Sequence, residues 1–164
     1  MAKWTFDGMD EYIRELKKLD ANTDQIIGKA VYEGAKIIAD EVRSNIEALP
    51  AENDVEGYAA YRAKKPSPLT KRQKQGLLDG FGIASMIIQN GYYHVKLGFD
   101  GYNTLKSKAY PNGQPNILVA RLLERGSSTF KRKAFMKPAV NGKRGAAEQK
   151  MKEVFEEEIE RLMK

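Results

Sequence analysis

The side chains most often used in catalysis are few in this sequence and do not converge. The single histidine, His94, lies in a strand-like stretch and is predicted on its polar face. Neighbouring helical positions face different directions, so the run Glu156 to Glu158 is predicted to be a solvated helix surface. One histidine and no cysteine also exclude the common zinc ligand sets. The sequence therefore predicts no enzyme, no metal and no cofactor.

Three glycines, Gly76, Gly80 and Gly82, have a superficial likeness to a phosphate-binding loop. Such a loop follows a strand and ends in a Gly-Lys-Ser/Thr sequence. These glycines follow a predicted helix, and no such sequence comes after them. We therefore expect them to serve the fold.

Basic side chains are concentrated in two segments of a chain whose net charge is +6. Residues 62–74 contain six lysines and arginines and no acid, and in residues 121–137 only Glu124 interrupts a second group. Basic residues among aromatic ones suit a nucleic-acid surface and equally a protein interface, although most charge runs are only solvated faces. The interface candidates are Tyr58, Tyr61, Arg62, Lys64, Lys65, Lys71, Arg72, Phe130, Lys131, Arg132 and Lys133.

The N-terminal half is predicted to be helical after a short strand at residues 4–6. Apolar residues recur at spacings of three and four over residues 9–19 and again over 27–49, which is typical of amphipathic helices. Residues 20–23 interrupt this pattern, so Asn22 is predicted to cap a second, long helix.

The middle of the chain begins with a segment that is poor in apolar periodicity. Residues 51–69 are predicted to form a flexible loop, and a loop of this length in a compact domain often has a function. Thr70 and Gln73 have the spacing of a capping box, which predicts a third helix. That helix should end near Asp79, with Gly80 in a left-handed conformation.

Strand-like alternation follows the third predicted helix. Residues 84–89 and 92–99 flank Asn90-Gly91, and Asn-Gly between two such runs is a strong hairpin signal. A third strand is predicted within residues 102–110, after a second turn.

Two prolines and a glycine mark the C-terminal helices. Pro115 and Pro138 suit helix starts, and Gly126 suits a helix end. The order of elements predicts one α+β domain over residues 1–164. In that fold N-terminal helices, including one long helix, precede a small antiparallel sheet with the Asn-Gly hairpin, and C-terminal helices pack on the sheet.

Residues 123–140 resemble the C-terminal signature of the siphophage tail-component family named after coliphage HK-ninety-seven. That signature has a Glu-x-Gly-Thr element, a variable basic loop and a Pro-Phe-x-x-Pro-Ala element before the last helix. Ser127 and Ala134 depart from it, where threonine and proline are usual. A Thr-Gly-x-Leu element of the family is matched without its threonine. The matching residues are Gly76, Leu78, Glu124, Gly126, Phe135, Pro138 and Ala139.

The resemblance implies a structural virion protein that acts in tail completion or head–tail joining at the neck. Its implied partners are the tail terminator, the tail tube, and head-completion or portal-bound connector proteins. It also implies a homo-oligomeric ring, commonly sixfold, around the DNA channel, and no cofactor. The basic segments could then contact neighbouring subunits, an acidic tail or portal surface, or, non-specifically, DNA in the channel. We expect the matching residues to hold the fold and the basic segments to contact the partners.

A small basic nucleic-acid-binding protein of the host cytoplasm is the alternative that the sequence leaves open. No apolar run approaches the roughly 20 residues needed to cross a bilayer, and the first residues lack the apolar core of a signal peptide. The sequence thus predicts synthesis in the host cytoplasm, with the virion as the final location under the first hypothesis.

Overall fold

The computed structural model describes the backbone of residues 9–164 and the side chains from Lys18 onward. The predicted strand at residues 4–6 lies outside the described residues. The elements are α1 (Met9–Ala48), α2 (Asp54–Arg62), α3 (Lys71–Gly80), β1 (Phe81–Ile83), β2 (Ile87–Gln89), β3 (Tyr92–His94), β4 (Leu97–Phe99), α4 (Asn116–Arg125) and α5 (Met136–Met163). This order confirms the predicted α+β fold.

Helix α1 is continuous over 40 residues, so the predicted break at residues 20–23 is wrong. The Asn22 amide donates to the Lys18 carbonyl at 2.6 Å, and the Thr23 hydroxyl donates to the Leu19 carbonyl at 2.7 Å. Each polar side chain thus bonds to a carbonyl one turn earlier, which lets it remain inside a helix. At 1.5 Å per residue the helix is about 60 Å long.

Helix α5 packs antiparallel along α1. The Lys143 ammonium lies 3.5 Å from the Glu41 carboxylate, and the Asn45 amide donates to the Phe135 carbonyl at 3.0 Å. Gly34 of α1 lies directly against Met151 of α5, where a β-carbon would collide. This antiparallel pair of helices forms one side of the domain.

Glu158 corrects the prediction that residues 156–158 form a solvated face. Its side chain is buried against α1, where it pairs with Lys29, and the Arg161 guanidinium lies 2.5 Å away. The hydrogen bond from Lys29, with the charges of Arg161 and Lys29, outweighs burial and lowers the pKa of Glu158. The glutamate therefore helps to join the two long helices.

The strands form two small antiparallel sheets. Strand β1 pairs with β4, with Phe81 opposite Phe99, and β2 pairs with β3. Asn90 and Gly91 have φ of 52° and 77°, which confirms the predicted hairpin turn. The exposed position of His94 in β3 agrees with its predicted polar face.

Two local predictions near the sheets are wrong. Residues 102–110 contain no strand; Tyr102 only forms an isolated bridge with Pro115. Gly80 is the last residue of α3, and its φ is not positive. A β-carbon at Gly80 would collide with the Asp100 carbonyl, so close packing explains this glycine.

The core lies where α1, α3, α4 and the start of α5 meet the β1–β4 pair. Three phenylalanines form its aromatic centre, because Phe99 lies 5.1 Å from Phe81 and 5.8 Å from Phe135 between ring centroids. Arg43 of α1 covers the Phe81 ring at 5.7 Å and donates to the Leu78 carbonyl at 3.1 Å. Within residues 9–164, every helix is too short or too polar to span a lipid bilayer.

The segment predicted as a flexible loop, residues 51–69, instead contains helix α2. The Asn53 amide donates to the Glu56 carboxylate at 3.0 Å and thereby caps the start of the helix. Main-chain hydrogen bonds between Glu52 and the residues flanking Thr70 close the segment onto the start of α3. A short helix with an exposed apolar face has weak periodicity in sequence, which explains the error.

The predicted capping box of α3 is confirmed and lies beside a buried polar cluster. The Thr70 hydroxyl accepts from the Gln73 amide at 3.3 Å, and the Gln73 side chain accepts from the Thr70 amide at 3.0 Å. One turn later, Gly76 packs against the buried side chains of Asn103 and Asn116. No side chain larger than hydrogen fits there.

Replacing Gly76 by alanine should destabilise the fold. The new methyl group meets buried Asn103 and Asn116, and such overpacking costs about 1–3 kcal/mol. Gly142→Ala is the matched control, since nothing lies within 4 Å of that position in α5. The control should gain about 0.5–1 kcal/mol from its better helix propensity. Urea unfolding of both variants measures the difference, and equal stability would contradict the packing argument.

Candidate functional site

The fold brings the two basic segments of the sequence together. The Ser67 amide donates to the Thr129 carbonyl at 2.9 Å, and the Lys131 amide donates to the Ser67 carbonyl at 3.1 Å. These bonds join the end of the α2 segment to the turn between α4 and α5. Residues more than 60 positions apart in sequence therefore line one surface.

A cleft of about 520 Å³ lies between the two segments. Arginine, lysine and tyrosine form one wall, and the hydroxyl-bearing residues of the turn form the other. No carboxylate lines it. The complete lining is Tyr61, Arg62, Lys64, Lys65, Ser128 and Thr129. We call these six residues the basic cleft.

The predicted tyrosines are strongly exposed beside the basic cleft. Tyr58 and Tyr61 of α2 are 62% and 68% exposed. The Arg62 guanidinium lies 6.0 Å from the centre of the Tyr58 ring, at the limit for a cation–π contact. Lys131 and Lys133 are exposed on the adjoining turn. These side chains are available to a partner.

Phe130 was predicted as an interface residue, and the structure contradicts this. Its side chain is buried in the hydrophobic core. The ring points inward because Ser127 and Phe130 close a tight turn through main-chain hydrogen bonds of 3.1 and 3.4 Å. Phe130 therefore attaches the turn of residues 127–133, which we call the basic turn, to the core. Its neighbours in that turn carry the exposed charges.

The remaining three predicted residues, Lys71, Arg72 and Arg132, also lie outside the cleft lining. Arg72 pairs with Asp54 at 2.9 Å, which fastens α2 to α3. Lys71 is exposed at the first position of α3, and Arg132 donates from Nε to the Glu124 carbonyl at 3.1 Å. Arg72 and Arg132 thus have partners within the domain.

Lys64 has an unusual backbone conformation for a lysine. Its φ is 54°, in the left-handed region that glycine favours at the end of a helix. The Lys64 and Lys65 amides donate to the carbonyls of Tyr61 and Ala60, both at 3.0 Å, and so close α2. A lysine here gives up backbone stability and places a charge in the cleft.

Glu124 is the residue whose role the sequence did not reveal. Its carboxylate accepts from the amides of Phe135, Met136 and Lys137 at 3.0, 3.1 and 2.9 Å. A helix leaves its first amides without partners, and negative charge is favoured at that end. Glu124, at the end of α4, thus caps α5 across the whole basic turn. Only its tertiary position shows this, because no local capping pattern contains it.

The pKa of Glu124 records this arrangement. Burial acts to raise the pKa, but the amides of Phe135, Lys137 and Met136, with the charge of Arg132, outweigh it. The net pKa lies below the ordinary 4.5 of a glutamate. A carboxylate with a lowered folded-state pKa contributes stability above its unfolded pKa, and that stability is lost as pH falls through the folded value.

The other motif residues surround the same turn or pack nearby. Gly126 ends α4 with φ of 74°, as predicted, and lies against Arg132. Phe135 and Ala139 are buried in the core, whereas Pro138 is exposed in the first turn of α5. Leu78, in α3, is half-buried against the core. The motif residues near the turn therefore hold in place the segment that carries Lys131 and Lys133.

No family model, curated protein or solved structure matches this chain. Among the residues that the structure describes, no three histidine, aspartate or glutamate side chains lie close enough to hold a metal ion. The likeness to the phage family accordingly rests on the motif residues alone.

Replacing Glu124 by glutamine should lower stability at neutral pH. The variant keeps the size of the side chain but loses charge-assisted hydrogen bonds, which are worth about 1–3 kcal/mol in total after partial compensation. Urea unfolding at pH 7 measures this loss, with Glu148→Gln at an exposed position of α5 as control. The difference from the wild type should shrink as pH falls from the ordinary 4.5 of a glutamate through the lowered folded-state pKa of Glu124. A constant difference down to pH 3 would contradict the role of the charge.

Lys64→Gly should stabilise the protein. Left-handed backbone costs an ordinary residue roughly 1–2 kcal/mol, and the greater freedom of glycine when unfolded removes part of the gain. We expect a net increase of about 0.5–1 kcal/mol in the free energy of unfolding. Lys65→Gly removes the same charge where φ is not positive and should bring no gain. Chemical unfolding of both variants separates the backbone effect from the charge effect.

Proposed function

We propose that this chain is a structural protein of a tailed-phage virion, acting in tail completion or head–tail joining. The observation that carries the proposal is the joining of both basic segments into one exposed cleft whose support includes the motif residues. Glu124, Gly126 and Phe135 hold the turn that carries Lys131 to Lys133. Motif and surface thus form one unit.

The cleft has the properties of a surface that recognises an acidic protein. Exposed tyrosine and arginine are enriched at protein interfaces, where they combine apolar area with hydrogen bonding. Positive charge steers a negatively charged partner and excludes positively charged ones. The proposed partners are the tail terminator, the tail tube and the head-completion or connector proteins, with the chain forming part of a ring around the channel.

Nucleic-acid binding is the second candidate function, favoured by the absence of any carboxylate in the cleft lining. A surface that contacts phosphates binds duplexes with an affinity that falls steeply with salt. Fluorescence anisotropy with a labelled duplex, repeated at several salt concentrations, separates this function from protein recognition. Tight binding by the purified chain at physiological salt would favour the second candidate.

Mass spectrometry of purified virions tests the location directly. The chain should be present in a small, constant number of copies relative to the capsid protein. Its absence from virions whose genome encodes it would overturn the proposal.

Replacing Lys131, Arg132 and Lys133 with glutamate should block the joining of heads to tails. Like charges placed across an interface cost several kcal/mol, so the yield of infectious particles should fall by orders of magnitude. Electron microscopy of the lysate should show full heads and finished tails as separate particles.

The matched control changes Lys106, Lys108 and Arg144 to glutamate, since these residues are exposed and lie outside both basic segments. It alters net charge by the same amount and should leave the yield unchanged. Circular dichroism verifies that both triple variants remain folded. A normal yield from the folded variant of Lys131, Arg132 and Lys133 would contradict the proposed role of this surface.

A further inference from the structure

Helix α2 has an outward face that combines apolar and basic side chains. Val55, Tyr58 and Tyr61 are 78%, 62% and 68% exposed. At about 100° per residue, these three residues and Arg62 fall within roughly 120° of the helix circumference. Gly57 is the only residue of α2 that is buried. The outward face and the two lysines that follow the helix form what we call the α2 surface: Val55, Tyr58, Tyr61, Arg62, Lys64 and Lys65.

The α2 surface offers side chains to a partner and few free main-chain groups. Within α2 the amides and carbonyls bond along the helix. In the adjoining basic turn, the amides of Thr129, Phe130 and Lys131 all donate to other groups of the domain. An added strand needs free amides and carbonyls at a sheet edge. A partner helix satisfies its own main chain, so it suits this surface better than an extended peptide does.

The charge along α2 changes sign from one end to the other. The first turn of the helix holds the acidic residues Asp54 and Glu56, and the last turn holds Arg62. Lys64 and Lys65 follow directly. These three basic residues form no ion pair with any side chain that the structure describes. Negative charge on a partner is therefore favoured at the C-terminal end of α2 alone.

Nucleic acid matches this change of charge poorly. Bases can stack on exposed tyrosines, but a phosphate backbone carries negative charge along its whole length. Over α2 it would also meet the carboxylates of Asp54 and Glu56, and it offers no apolar group to the aliphatic side chain of Val55. A partner that is acidic at one end and apolar beyond it fits the α2 surface better.

The acidic end of α5 does not supply such a partner from a second copy. Phe155 lies on a different face of the helix from Glu157 and Glu160, since successive residues are about 100° apart. Three further glutamates are paired within their own helix, namely Glu153 with Lys150, Glu156 with Lys152 and Glu158 with Arg161. Free carboxylates and apolar area are thus not combined on one face of α5, which favours a different protein as the partner.

We propose that the α2 surface binds an amphipathic helix of a different protein, with apolar side chains at spacings of three and four and acidic side chains clustered at one end. The apolar side chains cover Val55, Tyr58 and Tyr61, and the carboxylates enter the basic cleft. This inference rests on the proposed function in taking the surface as an interface, and it specifies the chemistry of the partner. It also explains the left-handed backbone of Lys64, because a glycine there would remove a cation from the cleft.

Fluorescence anisotropy with a labelled synthetic peptide tests this chemistry. The peptide has about 20 residues, long enough to form a helix, with leucines at spacings of three and four and glutamates clustered at one end. One control peptide carries lysines in place of the glutamates, and a second carries serines in place of the leucines. The full chain should bind the first peptide with micromolar affinity. Both controls should bind at least about tenfold more weakly, because charge and apolar area both contribute.

Variants of the chain test the same contact from the other side. The double variant Tyr58→Ala, Tyr61→Ala should weaken peptide binding by at least about tenfold, since exposed tyrosines often dominate interfaces. Tyr92→Ala is the matched control, because this tyrosine of β3 is 70% exposed and should leave binding unchanged. Lys64→Gly should also weaken binding although it stabilises the fold, which separates the two effects. Circular dichroism verifies that each variant is folded.

The inference is overturned by any of three results. One is the absence of saturable peptide binding up to about 0.1 mM chain, where even weak specific contacts are populated. Another is equal binding of either control peptide, or unchanged binding by the double tyrosine variant. The third is an occupant of another class, shown by self-association in sedimentation velocity, or by tighter binding of a single-stranded oligonucleotide, that the double variant abolishes.

Cross-linking in virions tests the occupant directly. Tyr58 is replaced by the photoreactive benzoylphenylalanine, and mass spectrometry sequences the peptide that irradiation attaches to it. An acidic amphipathic helix of another virion protein is the expected product, and the same replacement at Tyr92 should not yield it. Attachment to DNA or to a second copy of this chain would contradict the inference. Absence of the chain from virions would instead overturn the proposed function, while the peptide assay would still decide the chemistry of the α2 surface.

Discussion

The rest of the arrangement depends on the hydrogen bonds that the Glu124 carboxylate accepts from the amides at the start of α5. They connect the end of α4 to the start of the long C-terminal helix across the basic turn. Because the N-terminal end of a helix favours negative charge, the Glu124 side chain stabilises α5 and also limits where the turn can lie. Phe130 and Phe135 then attach the turn to the core, because the rings of both residues are buried there.

The pairing of α1 with α5 fixes the positions of the turn before Met136 and of the C-terminal glutamates. The two helices run antiparallel, and that turn and those glutamates lie at opposite ends of α5. Glu158 is one of these glutamates, and it contributes to the helix pairing because its carboxylate pairs with Lys29 of α1. The net charge of the sequence does not reveal this separation, which becomes visible only along the axis of α5.

Two elements with local signals were predicted correctly. The Thr70–Gln73 capping box and the Asn90–Gly91 turn depend on hydrogen bonds or φ angles within four residues, and both are present. Predictions based on weak or interrupted periodicity were wrong. Asn22 and Thr23 remain inside α1 because their side chains donate to carbonyls one turn earlier, and residues 54–62 form a helix with an exposed apolar face. Hydrophobic spacing shows neither these side-chain hydrogen bonds nor which apolar face a short helix leaves exposed.

The sequence by itself determined the α+β class, the Thr70–Gln73 capping box, the Asn90–Gly91 turn and the two basic segments, because composition and short-range hydrogen bonds encode them. Only the tertiary structure decided that these segments meet at Ser67, that Phe130 turns inward and that Glu124 caps a distant helix. The physical reason is that each of these outcomes depends on burial or on a partner far away in the chain. Spacing along a chain reports which face of an element is apolar, but not which element will cover that face.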